Sequence, residues 1–158
     1  MNTSLLSTLG NTALLSLHKT AFLCCRRVPA GAALRCYDWA IAQREAGECV
    51  VSGFHSPLEK DVLRYLLRGK QPVILALARG MKERVEPELH GAMKEGRLLM
   101  VTPFVASVKR VTEQTATERN RWMMEIAERI AAGYVAPSGQ VETLLLQTSK
   151  PIEYVFAT

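Results

Sequence analysis

Apolar positions along the chain alternate between two textures: short unbroken runs, and longer segments in which apolar residues recur every three or four positions. The runs lie at residues 20–25, 49–52, 72–78, 98–102, 134–136 and 151–156, six candidate strands. Between them, Leu34, Tyr37 and Ile41 predict a helix that Gly47 closes. Ser56, Pro57 and Glu59 stand at the offsets of an N-cap, a first-turn proline and a capping-box acid, ahead of a stripe of Leu58, Val62, Tyr65 and Leu66 that ends at Gly69. Pro87 opens a short helix through Leu89, Ala92 and Met93, and Gly96 stops it. Thr115 and Glu118 predict the cap of a long helix reaching about residue 132, with Trp122, Ile126 and Ile130 on its apolar face. Ser138 is placed to cap a last helix carrying Val141, Leu144 and Leu145.

Strands that are apolar throughout, rather than at every second position, are buried on both faces. Alternated with helices, they predict an α/β fold: a doubly wound, mainly parallel sheet of Rossmann type with helices on both faces. Residues 1–17 are expected to be an extension packing on the core, and 18–158 a single domain. In this architecture ligands bind beyond the carboxyl ends of the strands, where strand order reverses. The informative loops are therefore those that follow each strand.

Length and composition fit this picture. The chain has 158 residues, 48% apolar and 22% charged, in the globular range, with only 6% aromatic, so the core is aliphatic. No run approaches the roughly 18 apolar residues of a membrane span, and no membrane partner is expected. The N-terminus lacks a basic segment ahead of an apolar one, so no signal peptide is expected, and a cytoplasmic setting follows. Cys24, Cys25, Cys36 and Cys49 show no metal-ligand spacing and read as reduced core thiols; neither a metal nor a cofactor is expected. The net charge of +5 is compatible with a phosphate-bearing partner without requiring one.

The strand-end loops change that balance. Arg26 and Arg27 follow the first strand; Ser52, Gly53, His55 and the helix start at Ser56 follow the second; Arg79 and Lys82 follow the third. Glycine permits close approach of a ligand to the backbone, and a helix N-terminus favours an anion. Each cation has an alternative role, pairing with an acid such as Glu83 or Glu86 or lying along apolar surface. Arg119, Asn120 and Arg121 open the long helix, and Arg119 shares the face of Trp122 and Ile126. A charge on a buried face needs a ligand or an internal partner, here strand-end carbonyls. His55 is read as a polar contact of its loop.

Motifs that would mark an enzyme are missing: no G-x-G-x-x-G after the first strand, no Walker loop, no G-x-S-x-G elbow and no H-E-x-x-H.

Three segments carry a resemblance. Phe22-Leu23-Cys24-Cys25-Arg26-Arg27 resembles the "VGSR" segment of the DNA-processing protein A (DprA, or Smf) family, Val50-Val51-Ser52-Gly53 its "SG" turn, and Arg119-Asn120-Arg121 its "RNR" stretch. The agreement in order covers about residues 18–156. The family's glycine and serine are Cys24 and Cys25 here, and its "ARGID" continuation is replaced by Phe54-His55-Ser56-Pro57-Leu58-Glu59. Family members carry further domains around this core, and a chain of this length is expected to be a compact relative. The resemblance implies single-stranded DNA bound in a basic crevice without catalysis, through Arg26, Arg27, Ser52, Gly53, His55, Ser56, Arg79, Lys82, Arg119, Asn120 and Arg121. Members also load a RecA-type recombinase and dimerise, which raises a homodimer. Within the wider group, Pro137-Ser138-Gly139-Gln140-Val141-Glu142-Thr143-Leu144 is faintly similar to the P-G-G-x-G-T-x-x-E signature of the phosphoribohydrolases once described as lysine decarboxylases, but Leu144 stands at the glutamate position. A nucleotide-binding sensor, or an enzyme acting on a small nucleotide with His55 or Glu142 as acid or base, is therefore the alternative.

Overall fold

A computed structural model describes residues 6–156. Its elements are β1 (Ser7–Gly10), β2 (Lys19–Leu23), α1 (Ala30–Ala46), β3 (Cys49–Ser52), α2 (Pro57–Leu67), β4 (Val73–Ala76), α3 (His90–Lys94), β5 (Leu98–Thr102), α4 (Glu113–Ile126), β6 (Arg129–Ala132), α5 (Gln140–Leu145) and β7 (Ile152–Tyr154), with short 3-10 turns at Thr12–Ser16 and Pro87–Leu89. The strands form one sheet in the order β1-β5-β4-β3-β2-β6-β7. All neighbours are parallel except β1, which pairs antiparallel with β5 at one edge. The fold is thus the expected Rossmann-like α/β sheet, with an edge strand at residues 7–10 that its polar, broken sequence does not announce.

The double burial inferred from the apolar runs is visible residue by residue. Ala21, Leu23, Val51, Ile74, Val101 and Ile130 point to one face, under α4 and α5. Phe22, Val50, Leu75, Met100 and Ala131 point to the other, under α1, α2 and α3. Both layers are buried, and the central strands have no solvent face; Ser52 and Thr102, polar residues on them, hydrogen-bond to backbone carbonyls.

Helix α2 forms as its sequence dictates. The Ser56 hydroxyl accepts from the Glu59 amide at 3.2 Å, the Glu59 carboxylate accepts from the Ser56 amide at 3.1 Å, and Pro57 fills the first turn. Glu59 is consequently buried rather than turned away from the sheet.

Four expectations need correction. The buried face of α1 is Ala32, Cys36, Trp39 and Ala40, and Leu34 is 64% exposed. Small residues let α1 approach closely enough for Trp39 to stack on Phe22 at 4.9 Å, and this sets the rotation of the helix. The cap of α4 is Thr112 with Thr115, three residues ahead of the expected pair. Ile126 and Ile130 share a helical spacing, but the chain leaves the helix between them. Ile130 pairs with Ala21 in β6, so the strand runs over Arg129–Ala132, not over residues 134–136. Finally, Gly139, not Ser138, is the N-cap of α5; the Ser138 amide instead donates to the Glu142 carboxylate at 3.1 Å.

Strand order reverses at β2, which lies between β3 and β6. The crevice beyond the carboxyl ends of β2 and β6 is where this topology accommodates a ligand.

Candidate functional site

Two contiguous clefts open on that edge. One, of about 440 Å³, lies at the reversal point and is lined by Cys24, Cys25 and Arg26 after β2, by His55, Ser56 and Glu59, by Glu113, Ala116, Arg119 and Asn120 of α4, and by Gln140 and Val141 of α5. The other, of about 630 Å³, lies towards β4 and α2. His55, Val111 and Arg119 line both and form the divide between them.

Arg119 is the centre of this arrangement. It sits about two turns into α4, so it does not meet the positive end of the helix dipole, as a start at Thr115 would imply. It is only 5% exposed. Its Nη1 donates to the Ala76 carbonyl at 3.3 Å and its Nε to Asn120 Oδ1 at 2.9 Å. No carboxylate lies within ion-pairing distance among the described residues. Burial lowers its affinity for the proton, and the field of Glu59 opposes that only in part. Both the strand-end tie and the uncompensated charge foreseen for this residue are therefore present together.

Gly53 makes the close approach possible, because a Cβ there would collide with the Arg119 guanidinium. The next residue, Phe54, takes a left-handed φ of 45°, a conformation costly for a bulky side chain and concentrated at functional sites. The bend buries the Phe54 ring and leaves His55 exposed on the divide. Burial, followed by Arg119, lowers the His55 pKa below 6.5; Lys60 and Arg26 act the same way, while Glu59 opposes them.

Of the residues singled out from sequence, Arg26, His55, Ser56, Arg119 and Asn120 line the reversal-point cleft. Gly53, Arg79 and Lys82 line the wider one. Lys82 is paired with Glu86 at 2.9 Å. Ser52 is fully buried below the clefts; its hydroxyl donates to the Phe22 carbonyl at 3.1 Å and ties β3 to β2. Arg27 is exposed outside both clefts, and Arg121 lines a separate depression between α4 and α5.

Sequence reasoning missed Lys60, Arg64, Lys109 and Arg110, which also line the wider cleft. The last two stand seven and eight residues beyond the end of β5, on the loop that follows it. That loop folds back because Gly80 packs its backbone against Val105 and Ala106 and donates to the Val108 carbonyl at 2.8 Å. The wider cleft thereby gathers seven cationic side chains against the carboxylates of Glu86 and Glu88. Arg64 is engaged by Asp61 and Glu88 and Lys82 by Glu86. Lys60, Arg79, Lys109, Arg110 and Arg119 have no ion pair among the described residues. The reversal-point cleft is more balanced, since Arg26 and Arg119 share its lining with Glu59 and Glu113.

The Cys24 thiol, hydrogen-bonded to Cys36 and shielded from water, is pushed well above the usual thiol range and presents a neutral surface. Glu59 is occupied by the backbone N–H groups of His55 and Ser56, each at 3.1 Å. No cluster of metal-ligating side chains occurs among the described residues.

No protein-family model matches the chain, and no curated protein matches it. Solved structures do. The fold is similar to that of DNA processing protein A from Helicobacter pylori, described for its single-stranded DNA binding mode, with a TM-score of 0.73 at 16% identity over 93% of this chain and 69% of that one. It is equally similar to DprA from Streptococcus pneumoniae, with a TM-score of 0.73 at 14% identity, spanning about half (53%) of that longer protein. A molybdenum cofactor binding protein from Rippkaea orientalis shares the fold at a TM-score of 0.58 and 10% identity, over 85% of this chain and 74% of that one. The chain therefore has a DprA-like Rossmann fold.

Proposed function

We propose that this protein is a non-catalytic binder of single-stranded nucleic acid, DNA before RNA, whose phosphates lie in the wider cleft. The observation that carries the reading is the excess of cations there: five without an ion pair among the described residues, on the edge where this fold takes its ligands. Charge-assisted hydrogen bonds from arginine and lysine to phosphate oxygens supply affinity without reading sequence. Arg119 serves from below, as a desolvated cation at the divide. The similarity to a protein described as binding single-stranded DNA supports the same reading.

The alternative is a small-nucleotide sensor or a nucleotide-cleaving enzyme. An enzyme would need a general acid or base within reach of both clefts. Glu142 lines neither, and its carboxylate is held by the Ser138 amide. That leaves His55, whose neighbour Glu59 is already held by the backbone amides of His55 and Ser56.

A thermal-shift comparison separates the readings. At a hundred times its dissociation constant a ligand stabilises the fold by about 2.7 kcal/mol, or roughly 5–10 °C in a domain of this size. A single-stranded oligonucleotide is expected to produce such a shift at micromolar concentration. Mononucleotides are expected to produce none until millimolar. The reverse order would favour the sensor.

A further inference from the structure

The turn after β2 and the buried face of α1 bring two thiols together. Cys24 follows the last residue of β2, and Cys36 stands on the face of α1 that packs on the sheet. Both sulfurs lie over Gly133, the residue after β6: a Cβ there would come within 2.9 Å of Cys36 Sγ and 3.0 Å of Cys24 Sγ. The side chain that glycine lacks is thus the space in which the two sulfurs meet, walled by the Phe22 ring. The Cys24 thiol donates a hydrogen bond to Cys36, which raises the first above the usual thiol range and lowers the second.

The two sulfurs are not equivalent. Cys24 is half-buried on the wall of a cleft, whereas Cys36 is fully buried. A small solute therefore reaches Cys24 first. The other two cysteines stand apart from this pair. Cys25 Sγ is turned to the Ala136 amide, from which it accepts at 3.1 Å. Cys49 is buried at the start of β3, in register with Lys19 at the start of β2, so it occupies the opposite end of the sheet from Cys24. The thiolate is the nucleophile towards an oxidant, and a neighbouring proton acceptor supplies it. Cys36, which receives the Cys24 hydrogen bond, is that acceptor.

We propose that Cys24 and Cys36 form a redox-active dithiol, which hydrogen peroxide or another small hydroperoxide oxidises to a disulfide. Cys24 is the sulfur that meets the oxidant, and Cys36 is the one that closes the bridge. In the singly ionised pair, Cys36 takes the Cys24 proton across their hydrogen bond, and the Cys24 thiolate attacks one peroxide oxygen. The O–O bond breaks, leaving Cys24 as a sulfenic acid and the second oxygen as hydroxide, which takes the proton from Cys36 and becomes water. The Cys36 thiolate then attacks Cys24 Sγ. The S–S bond forms, the S–O bond breaks, and the departing hydroxide takes a proton from solvent as the second water. The sulfurs give up two electrons and the peroxide receives them. The bridge ties the turn that carries Arg26 to α1. This chemistry is independent of the nucleic-acid reading.

The test treats the folded, fully reduced chain with hydrogen peroxide, blocks the remaining thiols by alkylation and maps the peptides by mass spectrometry. Of the four cysteines, Cys25 and Cys49 are expected to be alkylated, and Cys24 and Cys36 to appear as one cross-linked peptide pair that dithiothreitol releases. Cys24 and Cys25 are adjacent, so single variants assign the bridge: Cys24→Ser should abolish it and Cys25→Ser should leave it. In Cys36→Ser the reaction should stop at the Cys24 sulfenic acid, which dimedone traps. Four alkylated thiols in the peroxide-treated wild type would overturn the proposal. So would a bridge that persists in Cys24→Ser, or oxidation of Cys24 to sulfinic acid with no bridge formed. The wild-type map decides the matter even where a variant fails to fold. Oligonucleotide affinity of the reduced chain is a separate measurement, so failure here leaves the nucleic-acid reading standing.

Discussion

Replacing Arg119 by methionine separates a functional cation from a structural one. The guanidinium is 5% exposed and makes hydrogen bonds of 3.3 Å to the Ala76 carbonyl and 2.9 Å to Asn120 Oδ1, with no ion pair among the described residues. Removing such a charge from water costs several kcal/mol even after relaxation. Hydrogen bonds from a charged donor return about 1.5–3 kcal/mol each, so the two roughly balance the cost. Methionine has nearly the same reach, needs no partner and suits an irregular site beside Gly53. Stability is therefore expected to stay level or rise by about 0–2 kcal/mol, at roughly 2–4 °C per kcal/mol for a domain of this size. Nucleic-acid affinity should fall about 10- to 100-fold, the worth of one charge-assisted contact in a desolvated site. Chemical denaturation and fluorescence anisotropy of a labelled oligonucleotide read the two quantities independently. A melting point lowered by several degrees with affinity intact would refute the reasoning and make Arg119 a clasp between α4 and β4.

Gly53→Ala drives a methyl group into the same guanidinium, and is expected to weaken binding about tenfold, with Arg119→Met/Gly53→Ala no weaker than Arg119→Met alone. The depressed His55 pKa makes the neutral ring the favoured form in the fold, so this residue's stability contribution is complete above 6.5 and declines as pH falls below it. Bound phosphate would give the imidazolium a partner, so oligonucleotide affinity should increase from pH 7.5 to 5.5, a trend lost in His55→Ala; a flat profile in the wild type would count against phosphate at the divide. Glu86→Gln removes a carboxylate from the wider cleft and releases Lys82; affinity is expected to rise severalfold, and a fall would show that the Lys82–Glu86 pair positions the loop instead.

What the sequence discloses here tracks how local the cause is. The α2 cap was legible because Ser56, Pro57 and Glu59 settle it among themselves. Strands β2 to β5 were legible because burial on both faces keeps them almost wholly apolar, whereas β1 and β6 were not. The α4 start was not, since Thr112/Thr115 and Thr115/Glu118 offer the same spacing. Leu34 misled because α1 is positioned by Trp39 and small residues, which carry little periodic signal. At the site, the strand-end rule located Arg26, His55 and Arg79, and the apolar face of the long helix located Arg119. The strand-end rule pointed to the loop after β5 but not to Lys109 and Arg110 within it, whose place depends on that loop folding back against Gly80. Arg121, adjacent to Arg119, points elsewhere because neighbouring helical residues face different directions.

The central claim is that phosphates neutralise the unpaired cations of the wider cleft, and the salt dependence of oligonucleotide binding reports this directly. Each neutralised phosphate contributes about −0.7 to the slope of log K against log[salt] for a single strand. With five unpaired cations, the wild-type slope is expected to reach about −3.5. It should become shallower by about 0.7 on replacing either Lys109 or Arg110 with alanine. A slope near zero, or one that neither substitution changes, would contradict the account.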